Sequence, residues 1–186
     1  MKARGSKMAK EIIFGDVIGK GKRGIVRRGM YGKTDVAIKI MNPKSEAICR
    51  IENEAKWLKK LNKKKIGPKF YFATDSMLVM EYLDGIHLEK FIEKNKSKII
   101  LKEILRQCRA MDKINVDKEE MHHITKNCII TKHKPVLIDF ERRRYSLKPK
   151  NVTQFCQFLI RKGLCKDIKN VLHTLQTYKN DRSEKN

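Results

Sequence analysis

The sequence predicts an α+β fold in two lobes: a five-stranded N-terminal lobe with one helix, then a short, mostly helical C-terminal lobe. Three observations carry this. Short apolar or alternating runs crowd the chain up to Met80, a single helical periodicity interrupts them, and helical spacing with one hairpin fills the remainder.

Ile12–Ile18, Ile25–Tyr31 and Val36–Ile40 read as three strands, with glycines and Lys33-Thr34-Asp35 at the turns. Asn42-Pro43 is a helix start signal, and Ile48, Ile51, Ala55, Leu58 and Leu61 then recur at helical spacing. Gly67-Pro68 closes that helix. Phe70–Ala73 and Met77–Met80 are two further strands, and Asp84-Gly85 is a turn signal. Leu88–Lys94 and Ile99–Ile114 read as helices, and Cys128–Thr131 with Val136–Ile138 as a hairpin. Val152–Tyr178 reads as helix with a break at Gly163. One domain over 12–179 follows, with an N-lobe 12–80, a hinge 81–85 and a reduced C-lobe 86–179 between polar termini 1–11 and 180–186.

Composition narrows the class. A chain of 186 residues with 40% hydrophobic and 35% charged residues suits a globular domain rather than a disordered one. No apolar run reaches bilayer-spanning length, and residues 1–10 lack the apolar stretch of a signal peptide, so a cytoplasmic protein with no membrane partner is expected. Five cysteines without a C-x-x-C pair indicate reduced, mostly buried thiols, neither a zinc site nor a disulfide framework. The net charge of +23 predicts attraction to polyanions such as RNA or acidic proteins. Arg142-Arg143-Arg144, with Lys148, Lys150, Arg161, Lys162, Lys166 and Lys169, is the candidate surface.

The chemistry-bearing segment begins at Ile18-Gly19-Lys20-Gly21-Lys22-Arg23-Gly24-Ile25-Val26, a G-x-G-x-x-G-x-V pattern. Glycine lets the backbone approach a phosphate without a Cβ in the way. Rossmann folds share the glycines, but there they lead into a helix, whereas Ile25–Arg28 reads as strand. Val36-Ala37-Ile38-Lys39 follows on the next strand and places a lysine in an apolar context, which needs an anion. Phosphates supply one such partner. Glu54 supplies another, because its spacing from Ile51, Leu58 and Leu61 puts it on the buried helix face.

With these motifs in order, the sequence resembles the protein-kinase superfamily, and its fold is expected to be protein-kinase-like. Leu78–Gly85 resembles the fifth strand and hinge of that family, Ile138-Asp139-Phe140-Glu141 its metal-binding D-F-G, with glutamate for glycine, and Asn127 its magnesium-binding asparagine. The resemblance implies ATP and Mg2+ as cofactors. Ile18 through Val26, Ala37 and Lys39 would contact nucleotide, with Met80 as gatekeeper and the Glu81 and Leu83 backbones bonding adenine; Asn127 and Asp139 would hold the metal. The short C-lobe, without A-P-E, is similar to small atypical kinases: Rio-type enzymes, the kinase subunit of the tRNA threonylcarbamoylation complex and an archaeal group of predicted Ser/Thr kinases. The I-D-F-E spelling resembles small-molecule kinases of the choline and aminoglycoside type.

The catalytic loop departs from the family. Counting back from Asn127, H-R-D-x-x-x-x-N would put its aspartate at position 122, where the sequence has His122. Histidine can accept a proton but supplies no negative charge. Asp117, Glu119 and Glu120 are the nearby carboxylates that a rearranged loop could present. The resemblance implies an ATP-dependent Ser/Thr protein kinase with Lys39, Glu54, His122, Asn127 and Asp139 as its catalytic set. A small-molecule kinase and an ATP-binding pseudokinase docking on RNA or a protein complex are the alternatives.

Overall fold

The computed structural model describes residues 11–21, 24–42, 50–132 and 134–183, with side chains for all of these except Arg50 and residues 181–183. Lys22 and Arg23 of the glycine hairpin, Pro43, Ile48, Cys49 and His133 lie outside the described residues. The chain forms two compact units. One holds the described residues through Ala55 together with Lys69–Tyr82, and the other holds Lys56–Pro68 with the described residues from Leu83 onward.

The first unit is an antiparallel sheet of five strands: β1 (Ile12–Gly21), β2 (Gly24–Tyr31), β3 (Thr34–Met41), β4 (Phe70–Ala73) and β5 (Met77–Glu81), in the order β1-β2-β3-β5-β4. Because side chains alternate across a sheet, register decides which residues share a face. Val36, Ile38 and Val79 are fully buried on one face, packed with Ile40, Met77, Tyr31 and Phe72. Val26 stands opposite Lys39, Lys39 opposite Leu78, and Ala37 opposite Met80, so these five occupy the other face. Helix α1 (Arg50–Asn62) begins in this unit and buries Ile51, Glu54 and Ala55.

In the second unit, α1 continues through Leu58 and Leu61 to a turn at Gly67, whose φ of +80° only glycine adopts without strain. A Cβ there would lie 2.7 Å from the Phe140 ring and 2.8 Å from Leu58. Helices α2 (Leu88–Lys94), α3 (Lys98–Lys113), α4 (Asn151–Arg161) and α5 (Ile168–Ser183) make up most of the unit. Its core gathers Ile104, Cys108 and Met111 of α3 with Phe155 and Phe158 of α4, Leu137 and Phe140. No described helix is long and apolar enough to cross a membrane.

The expected hairpin is part of a larger sheet. Strand β8 (Cys128–Thr131) pairs with β9 (Pro135–Leu137) on one side and with β6 (Gly85–His87) on the other. A three-residue strand is too short to show alternation, and Gly85 permits it because a Cβ there would strike the Ile130 carbonyl. A second small sheet pairs β7 (Val116–Asp117) with β10 (Arg144–Tyr145). Between β7 and β8, Met121–Lys126 forms a 3₁₀ helix. The long C-terminal helical stretch divides at Gly163, φ +63°, as its sequence suggests.

Four described cysteines are free, with Cys108, Cys128 and Cys156 buried and Cys165 half-buried. Burial pushes the Cys108 thiol well up, Cys128 to about 12 and Cys156 to about 11. Thiols raised in this way favour the protonated form over the reactive thiolate at neutral pH.

A buried polar cluster joins α3, β7, α4 and α5. The Asp112 carboxylate accepts from the Asn151 and Val152 backbone N–H groups at the start of α4, from Asn151 Nδ2 at 2.8 Å and from the Tyr178 hydroxyl at 2.9 Å. Asp112 thereby caps α4, which has no side-chain cap of its own at Lys150. Asn151 also donates to the Val116 carbonyl and accepts from the Lys118 N–H. Asn151→Ala deletes three bonds to fully buried groups and is expected to lower stability by about 3 kcal/mol, read as a shift of the urea midpoint at constant slope.

Candidate functional site

In the first unit, the glycine motif is a hairpin, with Gly19 opposite Val26, Lys20 opposite Ile25 and Gly21 opposite Gly24; Ile18 lies at a bulge just before Gly19. Its glycines divide by cause. At Gly24 a Cβ would collide with the Ile40 carbonyl, so close strand approach requires glycine there. At Gly19 the nearest atom to a Cβ would be Val26 Cβ at 3.6 Å, and at Gly21 the Gly24 carbonyl at 4.0 Å. Neither position has positive φ. Nothing among the described residues demands glycine at 19 and 21.

Lys39 and Glu54 meet. Lys39 Nζ lies 2.6 Å from Glu54 Oε2, with side-chain exposures of 16% and 4%. Strand β3 aims the lysine from the face opposite the apolar cluster, and α1 brings the glutamate on the face it shares with Ile51 and Leu58. A charged pair this buried is held by its geometry, since removing either partner strands the other charge. On β5, Met80 is half-buried opposite Ala37, and Glu81 gives its N–H to the Lys69 carbonyl.

The second unit carries Asn127 and Asp139. Asn127 ends the 3₁₀ helix, and its carbonyl accepts from the Ile138 N–H at 2.9 Å, which puts the two sequence positions side by side. Asp139 is exposed and has φ +57°, a left-handed conformation uncommon outside glycine. Such backbone outliers persist only where their surroundings hold them. One contact to this residue comes from Lys118, whose Nζ donates to the Asp139 carbonyl at 3.1 Å and lies 5.3 Å from the Phe140 ring centre. Lys118 is only 4% exposed. The Arg143 guanidinium also lies over the Phe140 ring, 4.8 Å from its centre. The oxygen donors of Asn127 and Asp139 suit a hard divalent cation.

Lys118 is a residue that motif matching misses. Flanked by Asp117 and Glu119, it reads in the sequence as one charge of a polar run, and only its burial and the long-range bond to residue 139 give it meaning. His122 is half-buried, its ring 4.3 Å from that of His123, and its carbonyl accepts from the Arg161 guanidinium. Of the nearby carboxylates, Asp117 is buried and accepts the Glu119 N–H, Glu119 pairs with Arg144 at 3.2 Å, and Glu120 pairs with Arg142 at 2.6 Å.

These pairs correct the expected basic surface. Arg143 is 3% exposed beneath Phe140, and Arg142 and Arg144 face glutamates. The triplet is therefore no continuous cationic patch. Lys148, Lys150, Lys162, Lys166 and Lys169 are exposed.

A family model for protein tyrosine and serine/threonine kinases matches residues 12–150. The tyrosine-protein kinase receptor torso of Drosophila melanogaster is 29% identical over 131 residues, 63% of this chain and 13% of that protein. Among solved structures, the Rio2 kinase–ADP/Mg2+–phosphoaspartate complex from Chaetomium thermophilum superimposes with a TM-score of 0.67 at 13% identity, covering 84% of this chain and 58% of that one. At that identity the likeness is one of fold. The chain spans less than two thirds of either protein.

Lys118→Met removes the bond to the Asp139 carbonyl and the cation over Phe140. We expect it to destabilise the protein by roughly 1.5–3 kcal/mol, measured by urea unfolding; an unchanged midpoint would show the Lys118 bond to be dispensable.

Proposed function

The chain belongs to the protein tyrosine and serine/threonine kinase family, and from that premise we propose that it is an ATP- and Mg2+-dependent phosphotransferase acting on a serine or threonine hydroxyl of a protein. The observation that carries the reading is the Lys39–Glu54 pair at 2.6 Å beside a hairpin whose Gly19 and Gly21 meet no contact among the described residues that requires glycine. A lysine held by a buried carboxylate presents a fixed positive charge, and a backbone without Cβ atoms lets phosphate oxygens reach peptide N–H groups.

In this reading, Lys39 binds the α- and β-phosphates and the hairpin from Ile18 to Val26 covers them. Ala37 and Met80 border the adenine, and the backbones of Glu81 and Leu83 bond it. Asn127 and Asp139 hold the metal, with His122 in the loop before them. When bound, Mg2+ neutralises phosphate charge, which together with positioning supplies most of phosphoryl-transfer catalysis. Lys118 keeps the Asp139 backbone in its left-handed conformation and so fixes the direction of its carboxylate. We assign the N-lobe, hinge and C-lobe roles to 12–80, 81–85 and 86–179, in a cytoplasmic protein.

Binding is the first test. Millimolar Mg-ATP is expected to raise the thermal midpoint, because a ligand that binds only the native state stabilises it by mass action. Asp139→Asn should remove mainly the magnesium-dependent part of the rise. Lys39→Met should weaken nucleotide binding at least about tenfold, roughly the loss of one charge-assisted contact, while the variant still melts cooperatively. A wild-type melt indifferent to Mg-ATP would sink the proposal. Phosphoamino-acid analysis of labelled acceptor then separates serine and threonine from tyrosine, and from a small-molecule acceptor.

A further inference from the structure

The reaction proposed above lacks one part: a carboxylate beside the acceptor hydroxyl, since position 122 is histidine. Three carboxylates, Asp117, Glu119 and Glu120, and His122 at the family's base position precede Asn127 closely enough to serve, and the structure separates them. Asp117 is buried in β7 and committed to the Glu119 N–H. Glu119 pairs with Arg144, the residue registered opposite Asp117, so its carboxylate lies along the β7–β10 ribbon. His122 has its carbonyl bound by Arg161 of α4 and its ring against His123. Glu120 is joined to the segment that leaves Asp139 by a shorter contact and closer to Asp139, through Arg142 three residues further on at 2.6 Å, whereas Glu119 meets that segment only at Arg144.

The backbone supports the same residue. Glu119 and Glu120 both adopt left-handed φ, +54° and +52°, two successive non-glycine residues in a region each disfavours. The excursion is pinned at both ends to α4: the Lys118 N–H goes to Asn151 Oδ1 at 2.8 Å and the Met121 N–H to Gln154 Oε1 at 3.0 Å. Lys118 Nζ then ties the base of this excursion to the Asp139 carbonyl. Strain held this firmly is characteristic of functional loops.

We infer that the Glu120 carboxylate orients the acceptor hydroxyl and takes its proton, with Arg142 as the residue that positions it. The inference rests on the phosphotransferase reading. The acceptor oxygen bonds to the γ-phosphorus as the bond from that phosphorus to the β,γ-bridging oxygen breaks. The bond's electron pair leaves with ADP, and the hydroxyl proton passes to Glu120.

The test uses the full chain with γ-labelled Mg-ATP and dephosphorylated casein, scoring label on casein, label on the protein itself and released phosphate. Glu120→Gln is expected to lower turnover by about 10²-fold or more with the Mg-ATP thermal shift intact, and Glu120→Asp to recover part of it. Glu119→Gln should stay within about threefold of wild type, well below what a proton-transferring group contributes. Arg142→Gln should lower kcat at unchanged KM for ATP, with Arg142→Lys restoring it. The inference is overturned if Glu120→Gln turns over as wild type does, if His122→Asn carries the loss instead, or if wild-type protein binds Mg-ATP and yields no product of any of the three kinds. A wild type with no Mg-ATP shift overturns the underlying reading, which the thermal data distinguish from a failure confined to Glu120.

Discussion

The second unit is organised by one buried carboxylate. Asp112, 1% exposed, sits at the end of α3 and collects donors from the first turn of α4, from Asn151 and from Tyr178 on α5. A charge taken out of water is tolerated only when its lone pairs are met by well-placed donors. That requirement fixes where α4 starts, and through Asn151 it fixes the backbone at Val116 and Lys118. These bonds anchor the start of the loop before Asn127. Lys118 can reach the Asp139 carbonyl because its own N–H is already anchored.

The first unit solves a comparable problem with two charges instead of one. Its sheet has one apolar face, closed by Val36, Ile38 and Val79, and a second face that carries Lys39. Burying that lysine is acceptable because α1 delivers Glu54 to it. The hairpin above is then free to use glycine for two separate purposes. Gly24 relieves a backbone collision, while Gly19 and Gly21 keep space open. A motif spelled with three glycines thus holds one that strand approach requires and two that the described contacts do not, and only the contacts of each position tell them apart.

The sheet was legible because strand alternation and helical spacing are local signals. Glu54 could be singled out from its spacing alone, and α1, α2, α3 and the β8–β9 hairpin fall within a residue or two of their sequence-based limits over the described residues. What escaped detection depends on partners distant in sequence. Strands β6, β7 and β10 have two or three residues each and exist only through pairing with segments tens of residues away. Asp112 and Asn151, 39 residues apart, look like an ordinary helix end and an ordinary loop until they meet. The arginine triplet misled for the same reason: three adjacent charges read as a surface, yet one is buried under an aromatic ring and the other two are met by glutamates from another loop.

The Tyr178–Asp112 bond bears on where this domain can be cut. The family match ends at residue 150, just short of Asn151 and well short of Tyr178. A fragment trimmed to the motif-bearing region would keep the glycine hairpin, Lys39, Glu54, Asn127 and Asp139. It would lose the amide that holds the Lys118 backbone and the phenol that completes the Asp112 shell. The autonomous folding unit is therefore longer than the recognisable one. Helices α4 and α5 are structural dependencies of the loop before Asn127, and a recombinant boundary or fusion partner belongs beyond them.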